Sequence, residues 1–183
     1  MAMMEINDLK VYFKLPDRRT LRAVDGVSFS LEKGESLGLV GESGCGKTTI
    51  GNAIIGLAPV TSGRIVFDGR ELDHHGGSRT GKFRSQVQMV FQDPFGSLNP
   101  RMSIGSCIAE VLKVHRLVQG RRMRHERIAE LFNAVGLDPD YASRYPHEFS
   151  GGQRQRIGIA RALAVKPSLV IADEPVSALD VSV

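Results

Sequence analysis

Apolar positions recur along this chain with two different periods. Val27, Phe29 and Leu31 alternate with Ser28 and Ser30, the pattern of a half-buried strand, and residues 5–13 also read as a strand. Pro16-Asp17-Arg18-Arg19 is a charged turn between them, and Glu32-Lys33-Gly34-Glu35 is a turn after them. Leu37-Gly38-Leu39-Val40 is a further short apolar run, expected to form a strand. Behind it, Ile50, Ala53, Ile54 and Leu57 have the spacing of one helical face. Ile65 to Phe67 predicts a short strand closed by the turn signal Asp68-Gly69. These strands suggest an antiparallel flank to a core.

The second half changes period. Val87 to Phe91 is a short apolar strand ending at Gln92, and Asp93-Pro94, Gly96 and Asn99-Pro100 break the pattern after it. Ile104, Ile108, Val111, Leu112 and His115 predict one helix. Ile128, Leu131, Phe132 and Val135 predict another, stopped by Gly136 and Pro139. Residues 96–150 therefore read as a mostly helical insertion. Ser150-Gly151-Gly152-Gln153 opens a helix carrying Ile157, Ala160 and Ala164, which Pro167 ends. Leu169-Val170-Ile171-Ala172 reads as a buried parallel strand ending in Asp173-Glu174-Pro175, where α/β sheets place ligands.

Composition narrows the class. The chain has 183 residues and 42% hydrophobic residues, enough for one domain with a sizeable core. A net charge of +4 is too weak to argue for nucleic acid. Cys45 and Cys107 make no disulfide framework, which fits a reducing cytoplasm. Met1 to Lys10 lacks the apolar core of a signal peptide, and no run of about 18 apolar residues is present to span a membrane. His74 and His75 lie in a polar, glycine-rich loop, 73–81, without the Cys or acid cluster of a metal site. Arg121, Arg122, Arg124 and Arg127 form either a solvated face or a contact for an acidic or lipid partner.

The sharpest chemistry lies at Gly41-Glu42-Ser43-Gly44-Cys45-Gly46-Lys47-Thr48-Thr49, which matches GxxxxGK[ST] between an apolar run and a helix. Gly41, Gly44 and Gly46 are expected to take positive φ, so that successive N–H groups point inward at phosphate oxygens. The helix beginning near Lys47 adds its positive end. Lys47 supplies a charge to the β- and γ-phosphates of ATP, and the Thr48 hydroxyl is placed to ligate Mg²⁺. At Ser150 the spacing fits a simple helix cap. Yet Gly151 and Gly152 are costly in a first turn, about 1 kcal/mol each against Ala. Their lack of side chains would open that turn to an anion, a second phosphate-binding surface.

The phosphate loop, Gln92, Ser150-Gly151-Gly152-Gln153, Leu169–Glu174 and Ser177-Ala178-Leu179-Asp180 occur in one order, and together they resemble an ABC-type ATPase subunit. Residues 91–102, 145–149 and 173–183 are similar to the peptide/nickel importer branch. The resemblance implies an α/β fold: a P-loop NTPase with a RecA-like core, an antiparallel β flank and a helical subdomain. It divides the single domain into 1–95, 96–150 and 151–183. It implies uptake of di- or oligopeptides driven by ATP hydrolysis, at the cytoplasmic face of the membrane. Phe13, with Tyr12 as the alternative, would stack on adenine, and Gly41 to Thr49 would hold the phosphates. Thr48, Gln92 and Asp173 would serve Mg²⁺, and Gln92 would sense the γ-phosphate.

Glu174 is the expected general base, against the plainer reading that it orients a neighbour. Ser150, Gly151, Gly152 and Gln153 would meet nucleotide held by a second ATPase subunit, identical or paralogous, in a head-to-tail dimer. Permease subunits would be direct partners and a solute-binding protein an indirect one, with Phe95 and Leu98 on the docking surface. The family's γ-phosphate histidine lies beyond its D-loop, and this sequence ends at Val183 with no histidine after Asp180. A core lacking its last strands, and slow hydrolysis by the chain as written, are the resulting expectations. Two other readings are a nucleotide-binding fragment that does not hydrolyse and a DNA-working relative. Against the latter, the stretch from Gln92 to Ser150 is too short for sustained heptads.

Overall fold

A computed structural model describes residues 2–74, 81–92, 96 and 98–174, which divide into two compact units, Met1–Arg84 and Ser85–Val183. In the first, β1 (Met4–Lys14) lies between β2 (Thr20–Leu31) and β3 (Ser62–Phe67), and β4 (Arg70–Glu71) pairs outside β3. All pairings in this sheet are antiparallel, as the flank expectation requires.

The sequence of β1 shows why its ladder slips. Its buried residues are Met4, Ile6, Leu9 and Val11, two pairs in strict alternation offset by one residue. The register shifts between Ile6 and Leu9, where Asp8 takes φ 47°, so a bulge absorbs the extra residue and keeps both pairs on the core side. Gly63 of β3 crosses at that point. A Cβ there would lie 2.3 Å from the Asp8 carbonyl oxygen, so only glycine fits.

Helix α1 (Lys47–Ile55) buries Ile50, Ala53 and Ile54. It ends at Gly56 in the left-handed conformation, whose N–H bonds Ala53 O while the Leu57 N–H bonds Asn52 O. That cap turns the chain away, so Leu57, expected on the buried face, is 67% exposed. Phe83 of α2 (Gly81–Gln86) packs edge-on against Phe67 with ring centroids 5.5 Å apart. The expected strand at Leu37–Val40 is not formed. Residues 35–40 have no regular secondary structure, and Val40 is 97% exposed. A strand is defined by its partners, and this run has none among the described residues.

In the second unit β5 (Val87–Val90) and β6 (Leu169–Ala172) pair in parallel, Val87 with Leu169 and Val90 with Ala172. Between them the chain builds a helical layer of α3 (Ile104–Val114), α4 (Arg121–Ala134) and α5 (Gly151–Leu163), with 3₁₀ turns at Pro139–Ser143 and Pro146–Glu148. Its core takes Ile104, Ile108 and Leu112 from α3. From α4 it takes Ile128, Leu131 and Phe132, from α5 Ile157 and Ala160, and from the C-cap of α5 Ala164. Each fully buried Leu, Ile or Phe contributes roughly 1.5–3 kcal/mol.

Leu98, expected on a docking surface, is 4% exposed and belongs to this core. Phe95 lies outside the described residues. β6 is parallel as expected but not buried throughout, since only Leu169 is fully covered. β5 covers one edge of it, and no other described strand pairs with it.

Candidate phosphate-binding and hydrolytic site

The first unit carries the glycine loop. Gly44 (φ 82°) and Gly46 (φ 99°) occupy the left-handed region, and Gly41 does not. At Gly41 a Cβ would sit 2.6 Å from Cys45 Sγ, so that side chain would have to turn away. Gly46 is the tightest position, because a Cβ would lie 2.3 Å from the Ala23 carbonyl oxygen on β2. Gly46 is also the N-cap of α1, and no side chain caps that helix start. The positive end of α1 therefore faces a loop bent by left-handed glycines, a fitting cradle for phosphate oxygens. Lys47 Nζ donates to the carbonyls of Gly41 and Glu42 at 2.8 Å each and lies 3.7 Å from Cys45 Sγ. An ammonium held among oxygen acceptors in this way can exchange them for phosphate oxygens.

Phe13 and Tyr12 sit on β1 at its pairing with Leu21 and Arg22 of β2. The Tyr12 hydroxyl donates to the Asp25 carboxylate, and Arg22 lies over its ring at 5.6 Å while also bonding Asp25. The Asp25 bond raises the Tyr12 phenol above its usual value. The same bond holds the Asp25 carboxyl below the usual carboxylate range. Tyr12 is thus committed to a cross-strand cluster. Its sequence signal was the polar set Lys10, Tyr12, Arg22 and Asp25 on two paired strands, which only the register brings together.

The second unit carries the carboxylates. Asp173 follows β6 and is buried, and its N–H continues the ladder to Val90 O at 2.9 Å. Glu174 is next, with φ 44°, a left-handed conformation uncommon outside glycine and a mark of functional sites. Gln92 follows β5. Its Nε2 donates to Glu174 Oε2 at 2.5 Å, across 82 positions of sequence. The ends of two adjacent parallel strands thus bring Gln92, Asp173 and Glu174 into one place.

Ser150 caps α5: its side chain accepts from the Gln153 N–H, and Gln153 Oε1 accepts from the Ser150 N–H. The capping box read from the sequence is formed. Of the arginine cluster, Arg122 pairs with Glu126 and Arg127 with Glu130 along α4. Arg124 Nε is buried with no hydrogen-bond partner among the described residues. It lines a groove of about 720 Å³ with Ser103, Gly105, Ala109, Ile128 and Ala142. His74 bonds Gly63 O, and His75 and residues 175–183 lie outside the described residues. No group of three or more metal-type ligands occurs among the described residues, and none of their helices is long and apolar enough to cross a membrane.

A glycine loop and lysine opening a helix, with acids at the ends of parallel strands, define an α/β protein of the P-loop nucleotide-binding class. The chain belongs to the ABC transporter family, whose pattern matches residues 24–177. It is 54% identical over 184 residues to the oligopeptide transport ATP-binding protein OppF of Bacillus subtilis, covering 99% of this chain and 59% of that protein. It is 52% identical to OppF of Escherichia coli, covering 100% of this chain and 57% of that protein. The chain thus spans less than two thirds of these relatives. Among solved structures it resembles the dimeric ATP-binding cassette MJ0796 in a post-hydrolysis state bound to ADP and Pi. The TM-score is 0.86 at 28% identity, over 98% of this chain and 77% of that one.

Proposed function

We propose that this chain is the ATP-binding and hydrolysing part of a peptide importer. The observation that carries the reading is the loop at Gly41–Thr49, where left-handed Gly44 and Gly46 lead into an uncapped helix that opens at Lys47. The names of its relatives support di- or oligopeptides as the solute. In this reading Glu42, Ser43, Cys45 and Thr49 complete the phosphate loop through their backbone. Phe13 stacks on adenine, since Tyr12 is engaged with Asp25. Thr48, Gln92 and Asp173 hold Mg²⁺, whose charge offsets that on the phosphate oxygens. Glu174 takes the proton of the attacking water.

Ser150, Gly151, Gly152 and Gln153 would contact nucleotide on a second ATPase subunit, identical or paralogous. The MJ0796 cassette's dimer supports that arrangement. Membrane permease subunits would dock at the helical layer, at the cytoplasmic face, and a solute-binding protein would act through them. The groove beside Arg124 offers an apolar floor with Arg121, Arg124 and His125 along it.

The test is nucleotide binding and hydrolysis by the full-length subunit assembled with its permease. Glu174→Gln is expected to keep ATP binding and lower turnover by roughly 10²–10⁴-fold, with loss of peptide uptake. Unchanged turnover would remove Glu174 as the base. ATP binding without turnover in the unsubstituted assembly would favour a non-hydrolysing nucleotide-binding role.

A further inference from the structure

The turn that joins α3 to α4 gathers cations and shows apolar side chains among them. Lys113, Arg116, Arg121, Arg122 and Arg124 fall within residues 113–124, and no acid lies between Glu110 and Glu126. The whole chain carries a net charge of +4, so these five cations exceed it and the remainder is slightly acidic. Among the described residues only Arg122 of the five pairs with an acid, Glu126. A solvated charged face would show few apolar side chains, yet here Val114 is 69% exposed, Leu117 44% and Met123 59%. The backbone holds the turn in shape. The Arg116 N–H bonds Lys113 O and the Leu117 N–H bonds Leu112 O, with Arg116 at φ 52°. In such a helix close, the residue after the left-handed position ordinarily packs back onto the last turn. Leu117 instead stays exposed, while Leu112 is fully buried in the helical core.

We propose that the α3–α4 turn is a contact for an anionic phospholipid surface: its cations meet the headgroups, and Val114, Leu117 and Met123 enter the boundary between headgroups and acyl chains. Five Lys and Arg side chains make a cluster of the size that an anionic leaflet attracts. Aliphatic and thioether side chains suit that boundary. Single-stranded nucleic acid stacks its bases on aromatic rings, and residues 113–124 contain no Phe, Tyr or Trp. Arg121 also lines the groove beside Arg124, so the turn adjoins the face proposed for the permease. The proposal draws on the importer reading only for the presence of a membrane.

The experiment floats the full-length subunit with vesicles of equal parts phosphatidylglycerol and phosphatidylcholine, and with phosphatidylcholine alone. At low salt the parent is expected to partition roughly a hundredfold or more in favour of the anionic vesicles. That preference should vanish in about 1 M salt, where the screening length falls to about 3 Å. Lys113→Gln with Arg121→Gln is expected to lower partition about 25-fold, about fivefold for each cation. Val114→Ser with Met123→Ser is expected to lower it several-fold and to leave the salt dependence in place. All four positions are exposed, so urea midpoints should match the parent's. Equal partition onto both vesicles would overturn the proposal, as would partition indifferent to either pair of substitutions. RNA or polyglutamate that binds the subunit through these cations more tightly than the anionic vesicles do would overturn it too. ATP binding by the same preparation keeps the two readings apart. A subunit that floats and binds no nucleotide would remove the ATPase reading and leave the lipid contact standing, and one that binds nucleotide without floating would remove the contact alone.

Discussion

Two helices in this chain begin at glycine-rich turns, and they begin in opposite ways. α1 starts from Gly46 in the left-handed region, with no side chain across its first turn and Lys47 folded back onto loop carbonyls. α5 starts from Ser150 in extended conformation (φ −65°, ψ 164°), and Ser150 and Gln153 close on each other. Both starts have the positive end of a helix dipole and flanking glycines. In the first, the backbone alone shapes the turn. In the second, Ser150 and Gln153 satisfy part of the turn locally, so any anion must share it with the cap. One turn is shaped by its glycines alone, and the other is closed by its own side chains.

The largest expected effect breaks the first arrangement. Gly46→Ala puts a Cβ at positive φ, 2.3 Å from a backbone carbonyl. The cost should be about 3 kcal/mol or more, from conformational strain and overpacking together, measured by urea unfolding. Nucleotide binding should be lost as well. A stable Gly46→Ala protein would mean that the loop is not held against β2.

At the second start a smaller effect is expected. Ser150→Ala should cost about 1 kcal/mol by removing the cap, and Ser150→Gly only a few tenths. If both cost nothing in thermal unfolding, the capping box is not what stabilises α5, and the contrast between the starts collapses.

The smallest effect is a control that touches neither helix start. The Asp25 carboxyl is lowered by Tyr12, so its contribution is present above the ordinary carboxylate range and is lost as pH falls through the lowered value. The Tyr12 phenol is raised, so its contribution is present below the ordinary phenol range and is lost as pH rises through the raised value. Asp25→Asn should flatten the stability profile slightly at both extremes, read from unfolding midpoints across pH, because both groups are exposed. A large change would mean that the β1–β2 cluster, and not the loop, dominates the stability of the first unit.

Features set by neighbours in sequence were legible in it. The capping box at Ser150, the αL stop at Gly136, the helices of the second unit and the turn at Asp68-Gly69 all follow from local residue chemistry. Features set by partners were not. Leu37–Val40 has the composition of a strand, but composition does not supply a neighbour. Leu57 and Leu98 carry the same apolar signal, yet one lies past a helix cap and the other inside a core. Within the site, Gln92, Asp173 and Glu174 were each readable as residues. The bond from Gln92 to Glu174 was not, because it joins distant positions through a strand pairing that only the fold reveals.

That pairing has a kinetic consequence. Residues 82 positions apart meet at Gln92 and Glu174, and the whole helical layer forms the loop between them. Closing a loop of that length costs chain entropy before any contact repays it, and such non-local pairings are slow to form. Packing α3, α4 and α5 first shortens the effective loop. The end of β6 that carries Asp173 and Glu174 is then among the last parts of the second unit to assemble. A fault deep in the helical core, at Phe132 or Ile108, would first be noticed as a shortage of active protein during synthesis.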